Sequence, residues 1–402
     1  MNNRRNIIIG AILLVVMTFI LTAGGALYLF DQMVPDSNGA LKLMRAMDVV
    51  RSRYIETVPT ETLMNGAIKG MVNSLNDPYS IYMDSKMFKE FRMETEGSFS
   101  GVGIVISVKD KMLTVVSPIE GTPGEKAGIR SGDQILKIDG KDTKELALDE
   151  AVGKIRGKEG TDVTLTVRRG ETVRDVKLTR ANIQIKTVSS KMLPEKIAVI
   201  RLSMFNEQTA GEFYKQYESM EAQGMKAMIL DLRDNPGGLL DSSVRVSNKL
   251  VPKGPVVSVV TRSGETEVHR SQLEKVKYPL VVLVNGGSAS ASEIVAGAVQ
   301  DTGAGTLIGT KTFGKGSVQS IVKLSNDTAI KLTIAKYATP KNRFINGIGI
   351  EPDIKVENPE NKNGAEARPG RLPITGNEGK TSVDSPPDLQ MEAAVNLLKG
   401  KL

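Results

Sequence analysis

The sequence predicts a multidomain α+β protein. An N-terminal transmembrane helix and a helical segment precede a small β-rich module and an α/β core containing βαβ units. Three observations carry this. An apolar run follows two arginines at the start of the chain, short β-like runs begin at Gly97, and from Lys196 apolar strands alternate with helical stretches. The 402 residues leave room for two or three domains, since single cores rarely grow beyond roughly 250 residues.

Arg4 and Arg5 stand ahead of an apolar run from Ile7 to Phe30, about 24 residues, enough to cross a hydrocarbon core about 30 Å thick as a helix. The arginines favour a cytoplasmic N-terminus. Residues 1–32 are therefore expected to be a single-pass anchor in the cell membrane, with everything after them extracytoplasmic. LTAGGA offers small residues at which a signal peptide is cut, but the run exceeds the roughly 7–15 residues of a signal h-region. Helical spacing marks 38–96: Leu41, Met44, Met47, Val50 and Tyr54 recur at offsets of three and four, then Leu63, Ala67, Ile68 and Met71. Between them TVPTET supplies a break, with Thr60 or Thr62 as an N-cap candidate, and Asp77-Pro78 is a stop.

From 97 to 180, runs such as VGIVISV, MLTVVS, DQILKIDG and VTLTVRR are punctuated by Gly, Pro and Asp, with one helical stretch, LALDEAVGKIRG. From 181 to 356, IAVIRL, AMILDLR and PLVVLVN alternate with helical patterns. Residues 357–388 read as a flexible polar linker, and LQMEAAVNLLKG within 389–402 reads as a docked amphipathic helix. LPITG at 372–376 looks like a sortase sorting signal, but no apolar span and basic tail follow it, and the match is read as chance.

Charged residues make up 25% and hydrophobic ones 40%, with a net charge of +7. Aromatics at 4% and the lack of any dense Lys/Arg run argue against nucleic acid as a partner. Zero cysteines and a single histidine, His269, exclude a cysteine nucleophile and a zinc site of Cys or several His. No metal or organic cofactor is expected. A Ser-His-Asp triad would have to use His269, which in SGETEVHRSQ reads as an exposed surface residue, so any hydrolase chemistry needs another base.

PLVVLVNGGSASASEIVAGAVQD, 279–301, puts Ser288, Ser290 and Ser292 where a buried strand turns into a small-residue helix. Such a turn exposes a hydroxyl beside free helix N–H groups that can bind an oxyanion. An N-cap serine on a close-packed helix explains the stretch equally well. In KTFGKGSVQS, Lys315 lies between two glycines, and Gln319 follows four residues on. A lysine acts as a general base only when neutral, which burial promotes. In AMILDLRDNPGGLL, 227–240, Gly237 and Gly238 offer backbone N–H groups at a βα turn.

Together NGGSASASEI, TFGKGSVQ and DLRDNPGG resemble the signatures of the C-terminal processing peptidases, serine peptidases that use a Ser-Lys dyad. MNGAIKGMVNSLNDPYS, EGSFSGVGI and GIGIEPD extend the resemblance, in the family's order, over about 38–356. The resemblance, not the spacing, selects Ser290 as nucleophile. It implies Lys315 as general base, Gln319 as its positioner, and Ala291 and Gly237 as oxyanion donors. The 97–180 module resembles a PDZ domain, most recognisably in AGIRSGDQILKIDG. The likeness implies a carboxylate-binding loop at Gly101, Val102, Gly103 and Ile104, with a peptide added as a strand. Leu148, Val152 and Ile155 would line the pocket for the last side chain, with core packing as their plainer reading, and Arg156 would sense the bound peptide.

The expected partners are protein or peptide substrates with apolar C-termini, the membrane through the N-terminal helix, and a second copy of the chain. The rival class is an anchored, catalytically inactive PDZ scaffold, which the intact Ser290, Lys315 and Gln319 set argues against.

Overall fold

The computed structural model describes residues 2–33, 37–109, 111–359 and 387–402. The chain divides into two units, Met1–Tyr82 and Met83–Leu402. The first holds three helices, Asn2–Met33, Ser37–Arg53 and Thr60–Asn73. Pro59, not a threonine, occupies the N-cap of the third helix, and Thr60 is already helical. Among the described residues no helix is long and apolar enough to cross a membrane. The described side chains of that helix are those of Gly10 to Gly25 and of Tyr28. The rest of the expected span lies largely outside the described side chains.

In the second unit a helix, Ser85–Glu96, is capped by the Asp84 carboxylate, which accepts the Met87 N–H at 2.9 Å, and ends on a left-handed Gly97. Strands Ser98–Gly101 and Ala181–Gln184 pair antiparallel where the chain enters and leaves the β-rich module. The module itself orders Ile104–Lys109, Met112–Pro118, Gln134–Ile138, Asp162–Arg169 and Thr172–Thr179 in one antiparallel sheet. Its core joins Leu113, Val115, Ile135, Ile138, Val163, Leu165 and Val167 with Ala151 and Ile155 of the helix Leu148–Ile155.

The α/β core is a six-stranded sheet in the order Val188–Met192, Ile197–Leu202, Ala227–Asp231, Leu280–Val284, Thr306–Gly309 and Ile354–Lys355. All its pairings are parallel except that of the first edge strand. The sequence pattern explains why both faces are covered. Successive side chains on a strand point to opposite faces. Accordingly Ala198, Ile200, Leu202, Met228, Leu230, Val282 and Val284 enter one core beneath the helices Thr209–Ala222, Leu240–Ser247 and Ala291–Thr302. Ile197, Val199, Ala227, Ile229, Val281 and Leu283 enter another, closed by Ala394 and Leu398 of the helix Leu389–Lys399. Uninterrupted apolar runs are what a parallel sheet buried on both sides requires, and the C-terminal helix is half of that burial. The hairpin Ser317–Lys323 with Ala329–Ala338 belongs to a second, antiparallel sheet with Gly254–Thr261 and Thr266–Ser271. Residues 360–386, most of the expected linker and all of LPITG, lie outside the described residues.

Candidate active site

The strand Leu280–Val284 runs into the turn 285–289, and the helix Ala291–Thr302 begins one residue later. Between them Ser290 has φ 54° and ψ −114°, left-handed for a residue with a side chain. Such a backbone costs of order 1–3 kcal/mol and persists only where its surroundings impose it. A strained serine between strand and helix is the geometry of a nucleophile elbow. The three serines are physically distinct. Ser288 and Ser292 are fully buried, and their hydroxyls donate to the backbone carbonyls of Leu232 at 2.8 Å and Asn235 at 2.9 Å. Ser290 is only partly buried.

The turn after Asp231 presses against this elbow. The Asn235 carbonyl accepts the Ala289 N–H at 3.0 Å as well as the Ser292 hydroxyl. Gly237 has φ +99°, and a Cβ built there would lie 2.6 Å from the Ala289 carbonyl oxygen and 2.9 Å from the Ala291 nitrogen. Only glycine permits so close an approach. The expectation that the Gly237 N–H is free is corrected: it donates to the Asn235 side-chain oxygen at 2.9 Å, because asparagine readily bonds the backbone two residues on. The N–H groups of Gly238 and Ala291 carry no hydrogen bond among the described residues.

Lys315 lies on the loop leading into the strand Ser317–Lys323. Its tie to Ser290 runs through two groups not anticipated from the sequence. One Glu293 carboxylate oxygen accepts the Ser290 N–H at 2.8 Å and the Lys315 N–H at 2.9 Å. The other accepts the Thr312 hydroxyl at 2.6 Å and the Gly314 N–H at 2.7 Å. The Tyr337 hydroxyl lies 3.0 Å from the Ser290 carbonyl oxygen and 2.7 Å from that of Lys315, its donated proton shared between them. Burial raises the Tyr337 phenol well above its ordinary pKa, and the nearby Glu293 adds to this; the ring is therefore a neutral donor. Gln319 donates its amide to the Ser317 hydroxyl at 2.9 Å and the Thr333 hydroxyl at 3.3 Å. Glu293 was legible in principle, since Ser290 and Glu293 form an S-x-x-E capping-box spacing. Tyr337 lies forty-seven residues along the chain from Ser290 and left no local signal.

In the β-rich module the loop Gly101–Ile104 is pinned from behind. The Val102 carbonyl accepts the Gly124 N–H at 2.7 Å, and the Gly103 carbonyl accepts the Ile119 N–H at 2.8 Å and the Thr122 hydroxyl at 3.0 Å. Of the three expected pocket residues, Ile155 is a core residue, 5% exposed, because the helix turns that face inward together with Ala151. Leu148 and Val152 are half-buried. Arg156 caps the helix with its guanidinium 4.8 Å from the Phe99 ring centre and 3.4 Å from the Met93 sulfur. Burial lowers its pKa, with Glu90 opposing. His269, expected as an exposed surface residue, is only partly exposed: it sits on the strand Thr266–Ser271, 26% exposed, 3.6 Å from Glu267. Among the described residues no cluster of His, Cys, Asp and Glu could hold a metal ion.

A strained serine at a strand–helix elbow, tied to a lysine loop on an α/β core that carries a small antiparallel β module, defines a serine hydrolase class. Comparison with known proteins narrows it. Residues 196–356 match peptidase family S41, residues 114–169 a PDZ domain, and residues 30–87 the N-terminal domain of the activating protease CtpB. The carboxy-terminal processing protease CtpA of Bacillus subtilis is 42% identical over 79% of this chain and 69% of its own. A carboxy-terminal-processing protease of Bartonella bacilliformis is 39% identical over 91% and 90%. The solved photosystem II D1 C-terminal processing protease aligns over 79% of this chain and 92% of its own, at 30% identity and a TM-score of 0.47. The chain belongs to the carboxy-terminal processing proteases of peptidase family S41. It is a serine peptidase with a PDZ domain.

Proposed function

We propose that Ser290 attacks the scissile carbonyl while a neutral Lys315 takes its proton. Lys315 then protonates the leaving amine, and water resolves the acyl-enzyme with the same base. Gln319 positions the lysine. Ala291 and the Gly237–Gly238 turn supply the oxyanion donors; the Gly237 N–H serves only after release from Asn235, whereas those of Gly238 and Ala291 are already unbonded. The observation that carries this reading is that Ser290, strained and partly exposed, shares the Glu293 carboxylate and the Tyr337 hydroxyl with Lys315.

The substrates are protein tails with apolar C-termini, captured by the Gly101–Ile104 loop beside the strand Ile104–Lys109. Half-buried Leu148 and Val152 meet the last side chain, and Arg156 responds to it. Losing a charge-assisted hydrogen bond costs about 1.5–3 kcal/mol, and each 1.4 kcal/mol is tenfold. A peptide with a free apolar C-terminus should therefore be cut at least about tenfold faster than its C-terminal amide. Equal kcat/KM for the two would remove tail capture from the proposal.

The chain is anchored by the helix Asn2–Met33 with the catalytic unit extracytoplasmic. Ile12, Leu13, Leu14, Val15, Val16 and Phe19 are all largely exposed, an apolar surface on every side that suits lipid. The Thr18 and Thr22 hydroxyls donate to the carbonyls of Leu14 and Thr18 at 2.7 and 2.9 Å, as polar groups in lipid must be satisfied internally. Detergent should extract the full chain from membranes, and high salt or alkaline carbonate should not. Release by salt alone would dismiss the anchor.

A further inference from the structure

The helix Leu389–Lys399 lies beyond the residues that match peptidase family S41, yet its N-cap reaches the base of the active-site turn. Asp388 caps the helix, accepting the Met391 N–H at 3.1 Å, and its carboxylate also accepts the Arg233 guanidinium at 2.7 Å. Gln390 Oε1 accepts from the same guanidinium at 3.2 Å. The opposite edge of Arg233 makes a bidentate pair with Asp231, at 2.9 and 2.8 Å. Arg201 donates to Asp231 at 3.1 Å and to the Arg233 carbonyl at 3.2 Å. Two cations are thus balanced by two carboxylates. Asp231 is 4% and Arg233 11% exposed, so removing Asp388 would leave two arginines against one buried acid. Asp388 itself is 43% exposed and Arg201 41%, so solvent offsets part of that imbalance, and what remains falls on the largely buried Arg233.

The residue held by this cluster is the first of the catalytic turn. Directly after Arg233, Asp234 adopts φ 59° and donates its N–H to the Asn285 side chain at 2.9 Å. The Asn235 amide donates to the Leu202 carbonyl at 2.9 Å, and its own carbonyl holds Ala289 and Ser292 on either side of Ser290. Burial would lift the Asp388 carboxyl, but hydrogen bonds from Arg233 and the Met391 N–H hold it below its ordinary pKa. It is therefore charged whenever Arg233 needs it.

We propose that the segment from Pro387 to Lys399 is a positioning element of the active site. Asp388 acts through Arg233 on the turn that carries Gly237 and buttresses Ser290. The inference rests on Ser290 as nucleophile and extends the catalytic apparatus to a segment separated from the peptidase core by residues 360–386.

The test uses the full chain and compares wild type with Asp388→Asn and Asp388→Ser, both of which keep an oxygen to cap the helix. Asp388→Glu serves as the conservative rescue, and Ser290→Ala runs in parallel. The readouts are kcat and KM on a peptide with an apolar C-terminus, binding of a non-cleavable tail peptide, and Tm. A small misplacement of catalytic groups costs up to about 10²-fold in rate. Asp388→Asn and Asp388→Ser should lower kcat by about tenfold or more, with KM and tail binding within about twofold of wild type, and Asp388→Glu should recover most of the loss. Wild-type kcat in both substitutions overturns the proposal. So does a loss of kcat that merely tracks the unfolded fraction and falls together with tail binding. Cleavage by Ser290→Ala would overturn the nucleophile assignment instead, so the two failures are distinguishable.

Discussion

Ser290→Ala should abolish peptide cleavage and labelling by serine-directed probes, and Lys315→Ala should cost nearly as much. Residues that act as one unit lose about 10⁴–10⁶ in kcat singly, and little more when removed together. The double variant should therefore match the worse single variant. The fold should survive both changes. Ser290 is partly exposed, and alanine at φ 54° replaces one left-handed side chain by another of similar bulk. The Lys315 backbone N–H and carbonyl are bonded to Glu293 and Tyr337, and alanine retains both bonds. Tail-peptide binding is thus the control: it should stay at the wild-type level in all three variants. Multiplicative losses in the double variant would mean that the two residues act on separate steps and that the dyad reading is wrong. Cleavage that persists in Ser290→Ala would transfer the reaction to another group. Ser288 and Ser292 are poor candidates, because their hydroxyls are buried and already donate to Leu232 and Asn235.

How much of this was readable beforehand depends on whether the signal was local. The apolar strands of the α/β core announced themselves, since IAVIRL, AMILDLR and PLVVLVN are continuous runs that only a doubly covered parallel sheet accommodates. The closing helix Leu389–Lys399 was visible as an amphipathic stretch, although which sheet face it covers followed only from the alternation of Ile197, Val199 and Ile229. The three serines could not be ranked by spacing. The distinction lies in carbonyls contributed by the turn at 232–235, more than fifty residues away in sequence. The Gly237 N–H is occupied by a side chain two residues back, Asn235, a local bond that competes with the free βα turn the two glycines suggest. For Ile155 the choice between pocket and core packing stayed open for a related reason. A helical i, i+4, i+7 set describes one stripe, and whether its last turn faces a groove or the core is decided by the sheet beneath it. Asp388 illustrates the extreme case, where a polar residue at the edge of a linker completes an ion cluster around Arg233.

Glu293→Gln should be the most damaging change outside the dyad itself, and the reason is a count of donors. Four hydrogen-bond donors converge on the Glu293 side chain: the N–H groups of Ser290, Gly314 and Lys315 and the hydroxyl of Thr312. An ionised carboxylate offers about four acceptor sites and no donor, so the set is filled. Glutamine keeps the shape but turns one end into an NH₂. In one orientation this end faces the N–H groups of Ser290 and Lys315; in the other it faces Gly314 and Thr312. Each donor left unmatched in the interior costs about 1–3 kcal/mol, and Glu293 is fully buried. Thr312 can rotate its hydroxyl away, so the Ser290–Lys315 side should keep the oxygen at first. Even so, the loop bearing Gly314 loosens. The expected result is a loss of about 2–4 kcal/mol in stability together with a fall of about 10²-fold in kcat, measured well below the lowered Tm. KM and tail binding should be unchanged, because the PDZ module has its own core. Glu293→Asp, one methylene shorter, should not restore kcat, since it cannot span both donor pairs. A variant that is less stable but turns over at the wild-type rate would reduce Glu293 to a helix cap. The tie between Ser290 and Lys315 would then rest on other groups, the Tyr337 hydroxyl between their carbonyls among them.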